Sequence, residues 1–442
     1  MTSTTAKKAH LLGFIQHGVN SHAVGMWRHP NDKINWDFAR PAYWHHMART
    51  MERGFFDAMF IADELAPYST FADSSEETVR WAVQCPTHEP STIVPIVSGA
   101  TTHLGIGLTL STAFEHPYSM ARRLSSLDHL SDGRIAWNIV SSYSKSEWEA
   151  YGAELTERAA RYEQLEEYMD VCYKLWDSWE PGAVIADKQT GIYADPALVH
   201  EVNHQGQYYR CRGRHFCLPS PQGRPVMWQA GSSSRGRDFA AKHAEAIFAV
   251  HPTVERMRQY TDDLNERMFT KFNREPGSVK LIFGIQPIVG QTRSEALEKQ
   301  AMIRTLVPQR GAMALISGHF GLDFSKYAPD SVIQDIEIFG IQGMYESIIH
   351  SRGGGAVTVA EAAELYGLQF SMPQLVGTAS DIVDQMEVFL DEGGADGFML
   401  LATYTPGCFE EFVDQVVPEM QRRGRYRTQY RGSTLREHLL ES

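Results

Sequence analysis

One stretch of the chain combines residues that could hold an anion: QAGSSSRGRDF, positions 229–239. It falls where a predicted strand passes into a predicted helix, and the first N–H groups of a helix attract negative charge. Gly231 lets a ligand approach the backbone, while Ser232 and Ser233 offer hydroxyl groups close to two arginines. The pattern predicts a phosphate site, although a serine that only caps the helix fits the same residues.

A second set of polar residues follows other predicted strands. Asp63 closes the run FIAD, and Thr109, Asn138, Ser142 and Tyr143 stand near the ends of two later strands. In a β/α barrel the C-terminal ends of the strands carry the chemistry, so these residues predict a ligand site at that rim. Asp63 could equally cap the next helix, and each small polar side chain could simply be satisfied within the barrel.

Other chemistries lack their usual patterns. The chain has no H-E-x-x-H, and Cys211, His215 and Cys217 have no fourth partner at zinc-site spacing, so we predict no metal site. The absence of G-x-G-x-x-G and G-x-x-x-x-G-K argues against a resident dinucleotide and a P-loop. No G-x-S-x-G motif provides a place for Ser/His/Asp hydrolysis.

The elements that must position these residues alternate regularly along the chain. Short apolar runs are followed by amphipathic stretches, which is typical of β/α units around a parallel sheet. Eight such units favour an α/β fold of the (β/α)₈ TIM-barrel type over an open doubly wound sheet. The predicted strands are 11–15, 58–62, 104–110, 134–140, 226–230, 246–250, 281–289 and 397–401. The predicted helices are 43–53, 91–100, 118–130, 161–176, 235–243, 254–272, 293–306 and 379–391.

A barrel needs only about 250 of the 442 residues, so the remainder must be additions to a single domain, 1–442. We expect two insertions, 178–224 and 307–378, the second of which could be a lid over the barrel mouth. The glycine run 353–355 marks a flexible joint within it. The tail 420–442 is strongly basic, and we expect ion pairs to hold it on the acidic body.

The composition of the chain indicates which classes of binding partner to expect. With 41 Lys and Arg against 54 Asp and Glu, the net charge is −13, which argues against nucleic acid and anionic membranes. Five cysteines without a C-x-x-C pair are typical of reduced thiols in a cytoplasmic protein. The apolar run LLGFI is too short for a signal peptide, and polar residues interrupt the uncharged stretch 90–114, so we expect no membrane span.

Several longer stretches, which together span nearly the whole chain, resemble in the same order the sequences of one protein family. The sequence is similar to the bacterial-luciferase-like flavin monooxygenases, in the branch with nitrilotriacetate, dibenzothiophene-sulfone and long-chain alkane monooxygenases. The stretches that carry the resemblance are GMWRHP (25–30), ERGFFDAMFIADELAPY (52–68), HEPSTIV (88–94), LTLSTAFEHPYSMARRLSSLDHLSDGRIAWNIVSS (108–142), RYEQLEEYMDV (161–171), SPQGRPVMWQAGSSSRGRDFAAKHAEAIF (220–248) and RGSTLREHL (431–439).

This resemblance implies a set of flavin contacts. Asp63 and Thr109 would line the site of the flavin ring, with Asn138, Ser142 and Tyr143 beneath it. The flavin phosphate would be bound by Ser232, Ser233 and Tyr162. The family usually has a histidine four residues before that tyrosine, and this chain has Arg158 there, a group that also pairs well with phosphate.

The resemblance also implies residues around the substrate. These are Tyr68, Gln84 and His319, with Tyr143 at a position where the alkane-oxidising relatives have a histidine. A further histidine expected at the mouth, His22, completes the candidates for direct involvement in catalysis. Each of them could instead satisfy loop backbone.

The activity implied is that of an FMNH₂-dependent monooxygenase. Such an enzyme inserts one oxygen atom of O₂ into a small organic substrate through a C4a-(hydro)peroxyflavin, and it needs a dry, closable pocket. A separate NAD(P)H-dependent flavin reductase would supply the FMN in reduced form, and relatives suggest a homodimer or homotetramer. Two alternatives stay open: a deazaflavin-dependent oxidoreductase and a non-catalytic flavin-binding barrel.

Overall fold

Eight parallel strands close into a barrel in the computed structural model, which describes residues 7–19, 22–338, 340–350 and 355–440. Three further strands lie outside the barrel wall. In chain order the strands of the described residues are β1 His10–Gln16, β2 Ala58–Ala62, β3 Gly105–Ser111, β4 Ile135–Val140, β5 Val202–Gln205, β6 Arg210–Gly213, β7 Val226–Gln229, β8 Ala246–Ala249, β9 Lys280–Val289, β10 Gln374–Gly377 and β11 Gly397–Leu401.

Helices surround the barrel and cover one of its ends. They are α1 Ile34–Asp37, α2 Pro41–Arg53, α3 Glu76–Arg80, α4 Val94–Ala100, α5 Pro117–Leu130, α6 Lys145–Ala150, α7 Arg158–Trp176, α8 Ser234–His243, α9 Val254–Phe272, α10 Arg293–Arg304, α11 Gln309–Phe320, α12 Gln342–His350, α13 Val359–Gln369, α14 Ala379–Asp391, α15 Gly407–Glu411, α16 Val417–Arg422 and α17 Leu435–Leu440. A π-helical segment, Phe412–Val416, joins α15 to α16. Within the described residues, no helix combines the length and apolarity needed to cross a bilayer.

The order of the barrel strands is β1, β2, β3, β4, β7, β8, β9 and β11, and β11 pairs again with β1. This confirms the predicted (β/α)₈ barrel, and each predicted strand is present with its ends shifted by at most one residue. The predicted helix 91–100 is divided into a 3₁₀ turn, Pro90–Ile93, and α4. Pro95 explains the division, because proline fits the first turn of an α-helix and not its interior.

Alternation along the strands sends every second side chain into the barrel. Phe14, Phe60, Trp228 and Phe248 point inward and pack together, with the rings of Phe60 and Trp228 stacked 5.6 Å apart. Space for the indole comes from Gly107 on β3, because a Cβ there would lie 2.0 Å from the Trp228 ring. The interior is therefore filled with aromatic side chains below the mouth.

The two insertions differ in what they form. Segment 178–224 contains the antiparallel pair β5 and β6 on the outside of the barrel. Segment 307–378 contributes α11, α12 and α13 and ends in β10, which pairs with the last residues of β9. Neither the β5–β6 pair nor β10 was predicted, because strands of four residues are too short to show a periodic pattern. Part of the glycine run 353–355 lies outside the described residues.

The basic tail makes several ion pairs with the body. Arg423 lies 2.6 Å from Asp384 and 2.9 Å from Glu387, both on α14. Arg436 on α17 lies 2.6 Å from Glu245, at the start of β8. The tail thereby crosses the N-terminal end of the barrel, opposite the mouth.

One of these ion pairs is fully buried. The Asp57 carboxylate, 0% exposed, accepts hydrogen bonds from Arg427 at 2.6 Å and from the Leu11 amide at 2.9 Å, and it contacts the His10 ring at 2.9 Å. Burial alone would raise the pKa of this carboxyl, but Arg427 and His10 hold it down at about 2. The tail, β1 and β2 are therefore tied together at a single carboxylate.

We predict that Asp57→Asn lowers the free energy of unfolding by about 3 kcal/mol at pH 7, because Arg427 is left buried without its counter-charge. Because its folded-state pKa is depressed, Asp57 stabilises the native state above pH 4, and this contribution should disappear as the pH falls toward 2. Urea titrations at several pH values test both points. Asp330→Asn, at an exposed carboxylate, is the control and should change little. An equal effect of the two substitutions would contradict the role of the buried pair.

Candidate functional site

A cavity of about 260 Å³ opens at the C-terminal ends of β2, β3, β4, β7 and β8. Barrel enzymes use this end for chemistry. Of the site residues predicted from sequence, all but two line this cavity: His22, Asp63, Thr109, Asn138, Ser142, Tyr143, Arg158, Tyr162, Ser232, Ser233 and His319. The other two, Tyr68 and Gln84, are buried directly behind its wall.

One end of the cavity is polar and cationic. Ser233 is the N-cap of α8, and its hydroxyl accepts a hydrogen bond from the Gly236 amide at 3.1 Å, so the helix-cap interpretation is correct. The other backbone amides in the first turn of α8 face the same end of the cavity. The Tyr162 hydroxyl and the Ser233 hydroxyl both lie beside Gly236, and Arg158, one turn earlier on α7, donates to the Gly340 carbonyl at 2.7 Å.

Two glycines give this end its shape. A Cβ on Gly231 would lie 2.6 Å from the Gln229 side chain and 2.9 Å from the Cα of Gly236. A Cβ on Gly236 would lie 2.9 Å from the Tyr162 hydroxyl. The turn and the first turn of α8 can therefore pack this closely only without side chains at these two positions.

The middle of the cavity contains an unsatisfied acceptor. Asn138 donates from Nδ2 to the Thr109 hydroxyl at 3.0 Å, while its Oδ1 is buried without a hydrogen-bond partner among the described residues. Ser142 pairs with the Ser111 hydroxyl at 2.8 Å and adopts a positive φ of 47°. A ligand with an N–H group could satisfy Asn138, because buried acceptors are rarely left unpaired.

The far end holds a chain of buried hydrogen bonds. Tyr68 donates to Gln84 Oε1 at 2.7 Å and lies 2.7 Å from His319 Nε2, and Gln84 Nε2 lies 2.9 Å from the His22 ring. His319 Nδ1 is in turn 2.7 Å from the Tyr366 hydroxyl. Four of the five predicted catalytic candidates, all but Tyr143, thus form one connected network, which also includes Tyr366 on α13, a residue that was not predicted.

Burial determines the charge state of this network. It lowers the pKa of His22 to about 3 and lowers the pKa of His319 well below its usual value. It raises the pKa of the Tyr68 and Tyr143 hydroxyls. At neutral pH the histidines are therefore neutral and the tyrosines protonated.

Three carboxyl groups lie near one another at the end of β2 and on α6: those of Asp63, Glu64 and Glu147. Burial raises the pKa of Asp63 to about 8, and it raises the pKa of Glu64 and of Glu147 as well. Glu64 lines the cavity and accepts a hydrogen bond from the Tyr143 hydroxyl at 3.2 Å. Glu64 and Glu147 were missed in the sequence because an acidic residue after a strand or within a short helix is usually solvated there.

The remaining walls are apolar or basic and were also missed. Phe14, Phe60 and Phe248 come from inward strand positions, Phe370 follows α13, and Met344 lies on α12. Arg161, three residues after Arg158 on α7, lines the cavity beside it. The alternation of side chains along the strands could have shown that the phenylalanines of the strands point inward. The three-residue spacing of the two arginines on a helix could have shown that Arg161 lies beside Arg158.

The fold and this cavity agree with comparisons to known proteins. A family model described as luciferase-like monooxygenase matches residues 16–397. The chain belongs to the luciferase-like monooxygenase family. The resemblance seen in the sequence is therefore confirmed, and the enzyme is a monooxygenase.

Several relatives of this monooxygenase match over nearly the whole chain. Long-chain alkane monooxygenase of Geobacillus thermodenitrificans (strain NG80-2) is 40% identical over 98% of this chain and 94% of its own. Dimethyl-sulfide monooxygenase of Hyphomicrobium sulfonivorans is 38% identical over 98% and 90%. Nitrilotriacetate monooxygenase component A of Aminobacter aminovorans is 35% identical over 98% and 97%.

Solved structures give the same result. The crystal structure of DmoA from Hyphomicrobium sulfonivorans superposes with a TM-score of 0.92 at 38% identity, covering 98% of this chain and 92% of that one. The structure of riboflavin lyase (RcaE) with modified FMN and riboflavin has a TM-score of 0.90 at 31% identity, covering 98% and 96%. Enzymes described as F420-dependent share only 12–14% identity and show the fold alone.

We predict that Asp63→Asn stabilises the ligand-free monooxygenase at pH 8. Because the folded state raises the pKa of Asp63, deprotonation favours the unfolded state, and wild-type stability should fall as the pH rises from about 4 to about 8. The asparagine cannot ionise, so its advantage should be absent at pH 4 and exceed about 1 kcal/mol at pH 8. Thermal unfolding across this pH range tests the prediction, with Asp330→Asn as the exposed control. A pH-independent difference would contradict it.

Proposed function

We propose that this monooxygenase binds reduced FMN in the cavity and inserts one oxygen atom of O₂ into a small, uncharged, apolar substrate. The observation that carries the proposal is the division of the cavity. One end has a helix N-terminus and two guanidinium groups, the middle has an acceptor with no partner among the residues the structure describes, and the far end is buried and neutral. These three parts match a phosphate, a flavin ring and an apolar substrate in turn.

The cationic end fits the phosphate of FMN. Arg161 Nε is buried without a hydrogen-bond partner among the described residues, and burial together with neighbouring Arg158 lowers the pKa of Arg161. A dianion beside them would relieve this repulsion and accept hydrogen bonds from Tyr162, Ser232 and the first turn of α8. Arginine at 158 supplies charge where the family usually has a histidine.

The middle of the cavity fits the ring. Reduced flavin carries N–H donors, and Asn138 Oδ1 is a buried acceptor available to one of them. Thr109 holds the Asn138 amide in place through the 3.0 Å hydrogen bond. Phe14, Phe60 and Phe248 provide an apolar surface for a flat aromatic system.

Reduced FMN, when bound, supplies the electrons that activate O₂. The chain's own residues bind the cofactor, orient the substrate and exclude water. His319 and Phe370, from the 307–378 segment, already cover the cavity, so a lid role for that segment forms part of the proposal. The His22, Gln84, Tyr68, His319 and Tyr366 network offers polar hydrogens that can contact oxygen without carrying a charge.

A separate NAD(P)H-dependent flavin reductase is the partner we propose. Two features support it: the name of the relative nitrilotriacetate monooxygenase component A implies a further component, and this chain lacks a dinucleotide fingerprint. Assembly as a homodimer or homotetramer stays a prediction.

The far end of the cavity indicates the substrate class. Its histidines are neutral and its carboxyls have raised pKa values, so the substrate region carries little net charge. An aminopolycarboxylate would need cations there, whereas an alkane or a thioether would not. The names of two relatives, a long-chain alkane and a dimethyl-sulfide monooxygenase, fit the apolar class.

We predict that Arg158→Ala combined with Ser233→Ala weakens binding of reduced FMN more than tenfold, about 1.4 kcal/mol, because the phosphate loses a cation and a hydroxyl. Anaerobic titration followed by flavin fluorescence or absorbance measures the affinity. Thr292→Ala is the matched control, since it also removes a helix N-cap but lies on α10, away from the cavity. Equal affinity of the double variant and the wild type would place the phosphate elsewhere.

Oxygen transfer is tested with photochemically reduced FMN and ¹⁸O₂, without a reductase. We expect one ¹⁸O atom in the product from a linear alkane or dimethyl sulfide, and none from nitrilotriacetate, because the far end of the cavity cannot neutralise a polycarboxylate. Mass spectrometry of the products gives the result. Tight binding of reduced FMN without oxygenation of any test compound would favour the non-catalytic flavin-binding alternative.

A further inference from the structure

The two glutamates missed in the sequence form a pair of carboxyl groups at the cavity wall, with Glu64 half-buried and Glu147 buried. Glu147 on α6 is 3% exposed, and its Oε1 accepts a hydrogen bond from the Leu65 amide at 3.0 Å. Its Oε2 is buried without a hydrogen-bond partner among the described residues. Glu64 directly precedes Leu65, so its carboxyl group lies near that of Glu147, and each carboxyl shifts the pKa of the other.

Such an arrangement favours a shared proton. Two ionised carboxylates side by side would repel each other in a medium that screens poorly. One proton between them would instead give a hydrogen-bond donor to Glu147 Oε2, which has no partner within the part of the chain that the structure describes. Of the other groups facing Glu64, Asp63 also favours its protonated form, whereas the neutral hydroxyls of Tyr68 and Tyr143 favour its ionised form by donating hydrogen bonds. The largest influences, burial and Glu147, both favour the protonated form of Glu64.

A path leads from this pair to the cavity. Glu64 itself lines the cavity, and the Tyr143 hydroxyl, 3.2 Å from Glu64 Oε1, lines it as well. The Tyr143 ring also packs edge-on against His319, with ring centroids 6.0 Å apart, and His319 is hydrogen bonded to Tyr68. A proton held by the pair is therefore one hydroxyl away from the place where O₂ would react.

We propose that Glu64 and Glu147 share one proton and that Glu64 delivers it through the Tyr143 hydroxyl to oxygen in the cavity. This inference rests on the proposed function. In it Glu64 is the proton donor, while Glu147 is a positioning residue that holds the proton on the pair.

The reaction has a stoichiometric need for this proton. The anion of reduced FMN, O₂, the substrate and one proton give oxidised FMN, the oxygenated substrate and water. Without substrate, the same anion, O₂ and one proton give oxidised FMN and hydrogen peroxide. In the step assigned to the pair, the Tyr143 hydroxyl first turns its hydrogen from Glu64 to the departing oxygen. The Tyr143 O–H bond then breaks toward that oxygen, and the tyrosine oxygen takes the proton of Glu64. Both carboxyls are then ionised until a proton returns from solvent, and no residue changes its oxidation state.

The first test uses the ligand-free protein and does not depend on activity. Infrared spectroscopy at pH 7 detects the C=O stretch of a protonated carboxyl group. Because Asp63 would contribute a similar band, the measurement is made in the Asp63→Asn background. We expect a band that shifts in D₂O and that is lost in both Glu64→Gln and Glu147→Gln, with Glu298→Gln, at an exposed position, as the control. A band that persists in both variants would overturn the shared proton.

The second test follows proton uptake directly. Reduced FMN bound to the protein is mixed with O₂ in weakly buffered solution containing a pH indicator dye, without substrate. In the wild type the dye change should lag behind flavin oxidation, because the pair supplies the proton first and recovers it afterwards. In Glu64→Gln and Tyr143→Phe the dye change and flavin oxidation should coincide. Coincidence in the wild type would overturn delivery by Glu64.

The outcomes separate this inference from the function on which it rests. Failure of the wild type to bind reduced FMN would end the proposed function, while the infrared result would still report on the pair. Normal binding of reduced FMN by Glu64→Gln, within about twofold of wild type, together with the lost lag, supports proton delivery and excludes a general loss of structure.

Discussion

Desolvation is the constraint on which the rest of the cavity depends. Water is excluded from the far end of the cavity by side chains of β2, β4, α6, α11 and α13. Ionisable residues there take their neutral forms: Asp63 holds a proton and His22 loses one. At the opposite end Arg158 and Arg161 keep their charge beside the N-terminus of α8. The cavity is thus polarised along its length, and an amphipathic ligand with an anionic tail has one favourable orientation in it.

The closed barrel makes this polarity achievable. Parallel strands place all their C-terminal ends on one rim, so residues as far apart in sequence as Asp63 and Ser233 face a common space. Alternation within the strands then separates a lower layer of aromatic rings from an upper layer with the Asn138 and Thr109 pair. The shared direction of the strands and the alternation of side chains along them therefore explain how most of the cavity residues come together, without any special local structure.

These same regularities explain what could be read from the sequence. The runs 58–62 and 397–401 are apolar, bounded by polar residues and rich in strand-forming types, and they are strands with those bounds. The stretch 229–239 was informative because a turn, a helix start and small residues coincide there. Both interpretations of Ser233 were useful, since the serine caps α8 and also lines the cavity.

The other residues of the site could be recognised only from the three-dimensional structure. Glu64 and Glu147 are 83 positions apart, and nothing local distinguishes them from solvated acids. Only the packing of α6 against the end of β2 brings their carboxyl groups together. Tyr366 enters the network because α13 packs on α11, a contact between two helices within an insertion. β10 is four residues long and is defined by its pairing with β9, so its own composition carried no signal.

The stacked Phe60 and Trp228 rings, seated against Gly107, have an implication for how members of such a family could diversify. They form a rigid base that cannot be deepened without dismantling the barrel core. The cavity can therefore be enlarged for a bulkier or longer molecule only at the mouth of the barrel, by substituting residues of α11 to α13. Evolution, or a protein engineer, could then alter the size of compound accepted while leaving the strands and the anion-binding turn intact.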